Sequence, residues 1–291
     1  MSDATVFVHH PEEGLRLPLV CDSPHSGTRY PSDFDSALPL QQLRQTEDTD
    51  IDALWSATPQ VGGTLIAACF PRCYIDPNRD LSDLDPSLLS EAWPVPLSPG
   101  PKSQLGYGLV FSKVNADTLI YNRALTVQEV QQRFARFWQP YRNALDQEIQ
   151  WACETFGGVW HLNLHSMPQN AYERLGLSTD KVLADFVLGD RDGSTCEPEF
   201  VDVVEQSLRR WGYSVARNDP YKGVALLAQV GQPSLNRHSL QIEIRRPLYM
   251  SEATRERNSN FDNLQKNLSL TLADVATYVK SKVQDLRKQT T

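Results

Sequence analysis

The sequence contains few cysteines, no long apolar run and no recognisable targeting segment. Its five cysteines are odd in number, irregularly spaced and without a CxxC pair. This spacing argues against a disulfide framework or a zinc finger, so we expect five reduced and mostly buried thiols. The N-terminal run MSDATVFVHH lacks the features of a signal peptide, and LIAACF (65–70) is far too short to span a bilayer. We therefore expect a cytoplasmic protein.

An excess of positive charge is also missing. Lys and Arg number 28 against 36 Asp and Glu, which gives a net charge of −8. Binding to nucleic acid or to an anionic membrane needs a basic surface, so neither is expected. An acidic protein can still bind an anionic small molecule if a local group of arginines or lysines receives it.

Several catalytic motifs are absent as well. The sequence has no GxSxG elbow, no Walker A loop, no GxGxxG fingerprint and no HExxH zinc motif. These absences argue against an α/β-hydrolase serine nucleophile, a P-loop enzyme, a Rossmann dinucleotide site and an HExxH metallopeptidase. A Cys–His nucleophile is not excluded, but no spacing favours it.

What the chain does have is an ordinary globular composition over 291 residues, with 40% hydrophobic and 22% charged residues. That is enough apolar material for a core that needs no disulfide or structural metal. Strand and helix patterns continue in the same style along the whole chain and predict one domain over 1–291. The segment 86–106, with five prolines, is predicted to be a long loop, and such loops are often lids or binding loops.

Hydrophobic periodicity predicts alternating strands and helices. The predicted strands are 17–22, 64–70, 159–166, 182–190 and 239–246, and the predicted helices are 46–58, 126–157, 198–211 and 260–287. The run 73–77 is either a further strand or the continuation of one. This alternation predicts an α/β fold with helices on both faces of a mostly parallel sheet. Ligands of such sheets bind beyond the carboxyl ends of the strands, where we therefore look for the chemistry.

The clearest helix begins at Thr126. Thr126 followed by Glu129 is a capping-box pattern, and the run ends at Gly157 and Gly158. Pro140 lies inside this run and is expected to kink or break it.

Two histidines lie at strand ends. His25 follows the first predicted strand in DSPHSG, and His165 ends another in HLNLHSMP. A strand fixes the backbone of such a histidine, which suits a metal ligand, although a hydrogen-bonded structural histidine is the commoner explanation for either one alone. His161 points to the same face as His165 but lies earlier in the strand. We expect it beneath the site rather than on a metal.

Acidic candidates come from two runs. TEDTDID (46–52) contains four acidic residues, some of which are explained as ordinary charges at a helix N-terminus. Glu243 lies in LQIEIRR, between two isoleucines that face the other way. A carboxylate within an apolar strand is costly unless it is paired or belongs to a site, so a site role is favoured for Glu243.

Cationic candidates lie mainly in loops. PRCYIDPNRD (71–80) supplies Arg72, Asn78 and Arg79, and an Asn–Arg pair suits the binding of a carboxylate. Arg123 precedes the long helix, and NDPYKG supplies Lys222. For each of them a surface ion pair or an ordinary turn is the alternative.

The ordered set of these runs resembles the N-formylglutamate amidohydrolase family. The matching segments are DSPHSGTRYP (22–31), EDTDIDALW (47–55), CYIDPNRD (73–80), NLHSMP (163–168), LGDRDGSTC (188–196), NDPYKG (218–223) and LQIEIRRPLYM (240–250). None of them is specific alone, whereas the set in this order is highly specific and covers nearly the whole chain.

The resemblance implies a zinc-dependent amidase with one zinc ion per chain. It also implies a three-layer α/β/α fold with a mixed, mostly parallel sheet, of the phosphorylase/hydrolase-like type of zinc carboxypeptidases and aspartoacylase-like deacylases. Those relatives bind zinc through His-x-x-Glu and a distant His, whereas here Thr28 stands three residues after His25. The zinc ligands implied for this chain are His25, Asp48 and His165.

Asp48 is the implied carboxylate ligand because it precedes Leu54 by six residues, as the acidic residue of the family precedes its Leu–aromatic pair. Asp50 and Glu47 remain alternatives. Two histidines, one carboxylate and one water form an ordinary catalytic zinc shell.

The family mechanism implies that Glu243 is the general base and that Arg72 or Arg123 holds the oxyanion. Asn78, Arg79 and Lys222 would then bind the substrate. The implied reaction is hydrolysis of N-formyl-L-glutamate to glutamate and formate, a step of histidine degradation.

Three other hypotheses remain open at this stage. A zinc deacylase for another N-acyl amino acid or peptide would share the site, because one acyl carbon changes binding by only about 1–3 kcal/mol. A non-catalytic protein that binds an acidic metabolite belongs to a different class, and a cysteine-dependent amidase is a distant third. The oligomeric state and the metal actually bound are left open.

Overall fold

A computed structural model describes residues 4–289 of the chain. The strands are β1 (Val6–His9), β2 (Leu19–Ser23), β3 (Thr64–Ala68), β4 (Val159–Met167), β5 (Phe186–Gly189), β6 (Val215–Arg217) and β7 (Arg237–Arg245). The α-helices are α1 (Leu40–Leu43), α2 (Ile51–Leu54), α3 (Pro101–Gln104), α4 (Val127–Arg133), α5 (Gln139–Phe156), α6 (Ala171–Arg174), α7 (Pro198–Arg210), α8 (Ala225–Val230) and α9 (Phe261–Gln289).

The strands form one mixed sheet in the order β1-β3-β2-β4-β7-β5-β6. Strand β4 pairs in parallel with β2 on one side and with β7 on the other. Strand β5 runs antiparallel to β7 and parallel to β6. The predicted α/β fold with a mixed, mostly parallel sheet is therefore confirmed.

The chain divides into two compact units that are each built from separate stretches of sequence. The first unit contains Pro24–Thr49 and Ala67–Leu145 with the N-terminal residues through Phe7. The second contains Val8–Ser23, Asp50–Ile66 and everything from Asp146 onward. A single domain over 1–291 stays a prediction.

The core of the second unit lies on one face of the sheet. The alternating residues Leu162 and Leu164 of β4 and Leu240 and Ile242 of β7 are fully buried, in one cluster with residues of α2, α7 and α9. From 161 to 165 in β4 and from 239 to 243 in β7, the residues with the opposite parity are polar. Since successive side chains of a strand point to opposite faces, the sheet has one apolar face and one polar face.

The first unit has little regular structure and is held by aromatic packing. The ring of Phe34 lies 5.2 Å from that of Tyr74, which in turn lies 5.1 Å from Phe137. Arg133 is buried beside these rings, with its guanidinium 4.2 Å from the Tyr74 ring, and it donates hydrogen bonds to the Tyr121 hydroxyl and the Tyr74 carbonyl. Cation–π contacts and these two acceptors stabilise a charge that is out of contact with water.

The longest predicted helix is present, but the expected break at Pro140 is not. The helix starts with the predicted Thr126–Glu129 capping box and continues from α4 through a π-helical turn, Phe134–Trp138, into α5. Pro140 lacks the N–H group that a regular helix would use in this turn, and a wider turn just before it accommodates the loss. Gly157 ends the helix, as expected, with φ of +77°.

Two other predicted elements differ from the structure. Residues 46–58 contain only the single turn α2, because Asp50 adopts a left-handed φ of +63° that interrupts a helix. Residues 73–77 are not a strand: Tyr74 closes a turn on the Pro71 carbonyl, and the N–H of Asp76 bonds to Leu109. The segment 86–106 is a long loop with only one short helix, α3, and a 3₁₀ turn at Pro86–Leu88.

Candidate functional site

In the first unit, the turn that follows β2 brings His25 against Asp48. The N–H of Asp48 bonds to the His25 carbonyl at 3.0 Å, and His25 Nδ1 lies 3.3 Å from Asp48 Oδ2. Both side chains are about 1% exposed. Gly27 makes this turn possible, because a Cβ there would lie 2.3 Å from the carbonyl oxygen of Phe70.

The second ring nitrogen of His25 contacts a carboxylate that the sequence analysis left without a role. His25 Nε2 lies 2.7 Å from Oδ1 of Asp76, which is fully buried. Burial alone would raise the pKa of Asp76, but His25, Arg72 and Arg79 together hold it well below its usual value. An ionised Asp76 accepts the proton of Nε2, so Nδ1 is the basic nitrogen of His25 and faces Asp48.

Two predicted cationic residues surround Asp76. Arg72 Nη2 donates to Asp76 Oδ2 at 3.0 Å, and its Nη1 lies 3.7 Å from Asp48. Arg79 Nε lies 3.9 Å from Asp76, and burial lowers the pKa of Arg79. Asn78 is buried beside them, and its N–H donates to Asp76 Oδ1 at 2.9 Å. The structure therefore brings Arg72, Asn78 and Arg79 to one carboxylate.

The backbone and side chain of Arg79 are both held by neighbours. Trp138, at the end of the π-helical turn, donates from Nε1 to the Arg79 carbonyl at 3.1 Å. Arg79 Nη1 lies 3.6 Å from Asp83 Oδ2, and Asp83 Oδ1 accepts from the N–H of Gly100 at 2.7 Å. Asp83 thus connects the long loop 86–106 to Arg79.

The other acidic residues of the run 46–52 have different surroundings. The Glu47 carboxylate is buried and accepts hydrogen bonds from Tyr30, Thr49 and Arg44. Asp50, in the second unit, forms two hydrogen bonds with Arg257, at 2.7 and 3.0 Å.

In the second unit, the polar face of the sheet carries a buried row of side chains from β2, β4 and β7, which we call the polar row. Its members are Asp22, His161, Asn163, His165, Ser239, Gln241 and Glu243. Each is at most 8% exposed. Such burial of polar groups is tolerated only when they bond to one another, and these do.

His165 and Glu243 lie side by side at the carboxyl ends of β4 and β7. They are register partners in this parallel pair, so their side chains project from the same face. Gln241 Nε2 donates to Glu243 Oε1 at 3.0 Å, and His165 Nε2 lies 2.6 Å from Asn163 Oδ1. His161 lies deeper, fully buried, as expected.

Two predicted site residues are bound by surface carboxylates instead. Arg123 donates to Asp35 at 2.8 Å and to Glu129, the glutamate of the capping box, at 2.6 Å. The Lys222 ammonium bonds to Asp192 at 2.8 Å, and both side chains are more than half exposed.

Buried histidines, carboxylates and arginines of these kinds are typical of the active sites of hydrolases. The family model described as N-formylglutamate amidohydrolase matches residues 17–250. The chain belongs to the N-formylglutamate amidohydrolase family and is a hydrolase of amide bonds, which confirms the resemblance seen in the sequence.

Solved structures agree with this assignment. The chain is similar to the N-formylglutamate amidohydrolase from Ralstonia eutropha JMP134, with 60% identity and a TM-score of 0.94 over 96% of this chain and 99% of that one. A gene product from Agrobacterium tumefaciens has 18% identity and a TM-score of 0.64 over 97% and 95% of the two chains, and shows the fold alone. No curated protein matches the chain.

Within residues 4–289, no helix combines the length and the apolar composition that crossing a bilayer requires.

Proposed function

We propose that the chain is a zinc-dependent amidohydrolase that cleaves N-formyl-L-glutamate to L-glutamate and formate. The observation that carries the proposal is the 60% identity, over nearly the whole chain, to a structure named for this activity. The chemistry of the described side chains agrees with it, as follows.

The proposed zinc ligands are His25 and Asp48, which are buried in the first unit, and His165, which is buried in the second. The part of this group that lies in the first unit can be tested against zinc geometry. Two ligand atoms at zinc–nitrogen and zinc–oxygen distances in a tetrahedral shell lie about 3.3–3.4 Å apart. His25 Nδ1 and Asp48 Oδ2 lie 3.3 Å apart, which fits. A bound zinc ion supplies a Lewis acid and a water of lowered pKa.

Glu243 is the proposed general base. Its carboxylate takes the proton of the attacking water and returns it to the leaving amine nitrogen. Gln241 fixes the orientation of this carboxylate by donating to Oε1.

The arginines have separate proposed roles. Arg72 stabilises the oxyanion, because its Nη1 lies 3.7 Å from Asp48, a proposed zinc ligand, and so places a positive charge next to the metal site. Arg79 and Asn78 bind a carboxylate of the substrate, which would share the buried guanidinium with Asp76 and Asp83.

Arg123 was the other candidate for the oxyanion, but it bonds to Asp35 and Glu129 rather than to a proposed zinc ligand. Lys222 was a candidate for substrate binding, but its ammonium bonds to the exposed Asp192, so the substrate carboxylate is assigned to Arg79 and Asn78.

Formate release by the purified protein tests the proposal. We expect release from N-formyl-L-glutamate, loss of activity after treatment with a chelator and recovery with zinc. N-acetyl-L-glutamate, assayed for glutamate release, is the matched substrate that differs by one methyl group. Faster release from the acetyl compound would favour the other zinc deacylases. Bound zinc without hydrolysis of either compound would contradict the proposed substrate.

The cellular context is also a proposal and follows from the family. We propose a cytoplasmic enzyme of histidine degradation that acts on a small molecule. Accumulation of formylglutamate in cells that lack the protein and are grown on histidine would support this role, and unchanged growth and metabolite levels would contradict it.

A further inference from the structure

Two hydrogen bonds connect His165 to a buried aspartate through an amide. His165 Nε2 lies 2.6 Å from Asn163 Oδ1, and Asn163 Nδ2 donates to Asp22 Oδ1 at 2.8 Å. Asp22 Oδ1 also lies 2.8 Å from Nε2 of His161, whose Nδ1 lies 2.8 Å from the Ser239 hydroxyl. All five side chains belong to the polar row of the second unit and are at most 3% exposed.

In each of these hydrogen bonds, the donor and the acceptor can be identified. Asn163 Nδ2 donates to Asp22 Oδ1, so the NH₂ group of this amide faces Asp22. The Oδ1 end then faces His165 and only accepts. His165 must therefore carry its proton on Nε2, and the lone pair of the neutral ring is on Nδ1.

We propose that Asp22 and Asn163 are positioning residues that fix His165 in the Nε2–H tautomer and so prepare its Nδ1 to bind the metal ion. This inference rests on the proposed function only in taking His165 as a metal ligand. Histidine ligands commonly donate their other ring N–H to a carboxylate or carbonyl oxygen, and loss of such a partner typically weakens metal binding about 10–100-fold.

The two histidines of the proposed ligand set are supported in different ways. His25 bonds directly to the Asp76 carboxylate, whereas the amide of Asn163 stands between His165 and Asp22. The amide transmits an orientation without placing a full negative charge beside His165. Asp22 Oδ1 accepts hydrogen bonds from both His161 and Asn163, and these two donors stabilise the carboxylate inside the sheet.

Two single variants test the inference by removing different parts of the connection. Asp22→Asn allows the Asn163 amide to turn either way, and Asn163→Leu removes the acceptor at similar volume. For each we expect zinc affinity, measured by competition with a chromogenic chelator, to fall about 10–100-fold. We also expect ¹⁵N NMR of the metal-free protein to show the Nε2–H tautomer of His165 in the unchanged chain and a mixture in both variants.

A double variant provides the rescue. In Asp22→Asn with Asn163→Asp, the carboxylate moves next to His165. The NH₂ group of the new amide then donates both to this carboxylate and to His161 Nε2, with the His161 proton on Nδ1 facing the Ser239 hydroxyl. We expect zinc affinity and the His165 tautomer to be restored. Ser239→Ala is the matched control, since it removes a buried hydroxyl of the same row at the far end from His165. We expect it to leave both measurements unchanged.

Variants that fold with an unchanged Tm, keep the Nε2–H tautomer and bind zinc as tightly as the unchanged chain would overturn the inference. So would an equal loss in Ser239→Ala, or an unchanged chain that binds no zinc. These outcomes are separate from those of the proposed function. A protein that shows the expected zinc and tautomer effects but releases no formate would refute the substrate and leave the role of Asp22 and Asn163 intact.

Discussion

At the scale of the residue, Asp48 and Asp50 show how two neighbouring aspartates acquire different roles. Asp48 is buried 3.3 Å from His25 Nδ1, while Asp50 has a left-handed backbone and pairs with Arg257. We expect Asp48→Asn to lose most bound zinc and activity. Asp50→Asn is the matched control, because asparagine tolerates this backbone conformation. Its loss of an exposed ion pair should cost at most about 1 kcal/mol of stability.

Metal analysis by mass spectrometry and urea unfolding of both variants check this expectation. Equal zinc content in the two would show that Asp48 is not a ligand. Zinc loss in Asp50→Asn alone would show that Asp50, not Asp48, is the carboxylate ligand.

The Glu243 carboxylate gives a second expectation at this scale. Glu243→Gln keeps the size and the contact with Gln241 but cannot accept a proton. We expect kcat to fall about 10²–10⁴-fold, while zinc content and KM change little. Formate release and metal analysis on the same sample separate these effects. A fall in zinc content that matches the loss of rate would mean that Glu243 is a metal ligand rather than the general base.

The sequence was sufficient to select residues at strand ends but not their partners. His25, His165 and Glu243 were visible because each follows or interrupts an apolar strand. Asp76, Asn163 and Asp22 were not selected, although Asp22 ends a predicted strand and Asn163 lies within one, because their importance arises from contacts that spacing does not reveal. The bond from Asn163 to Asp22 spans 141 residues, and only the sheet register brings them together.

At the scale of the element, the start of α4 distinguishes the two arginines that were candidates for the oxyanion role. Arg123 holds the capping-box glutamate, so Arg123→Ala should cost about 1 kcal/mol or less of stability with little change in kcat. Arg72→Ala should instead lower kcat about 10²–10³-fold. Kinetics with formylglutamate and thermal unfolding of both variants decide between them. A large loss of kcat in Arg123→Ala alone would reverse the two roles.

Helices and strands with strong periodicity were predicted well, and short ones were not. Strands β4 and β7 and helices α7 and α9 lie close to their predicted ranges, because alternation or helical spacing is sustained over many residues. Helix α2 is much shorter than predicted because the left-handed φ of Asp50 is a tertiary requirement that spacing does not reveal. At Pro140 the prediction was wrong in the opposite direction. A proline was expected to break the helix there, but the π-helical turn just before it allows the helix to continue.

At the scale of the whole molecule, the thiols should be inert in the native state. Burial raises the pKa of Cys21 and of Cys73 to about 12, and it also raises the pKa of Cys153 and Cys196. Since the thiolate is the reactive form, we expect iodoacetamide to leave activity unchanged in the absence of urea. Residual formate release and intact mass measure this. Inactivation after one alkylation would favour the cysteine-dependent amidase.

Stability should depend on pH through His238, which lies at the start of β7 and stacks on Trp160 at 5.4 Å. Burial lowers the pKa of His238, although Glu197 acts against this. The unfolded chain therefore binds a proton below about pH 6.5 that the folded chain does not bind until a lower pH, so stability falls as the pH drops below 6.5. His238→Gln should flatten this part of the urea-unfolding profile. An unchanged slope would assign the dependence to other groups.

The interleaving of the two units along the chain has a consequence for the order of events during synthesis. Every residue of the first unit has been made once the ribosome reaches Leu145, whereas β2 must wait for its neighbour β4, and β4 in turn for β7. At about 5–20 residues per second, the last 146 residues take roughly 7–30 s to emerge. During the first part of that time, until β4 has been made, β2 lacks this neighbour in the sheet, so chaperone binding to residues 19–23 would then protect the nascent chain from aggregation.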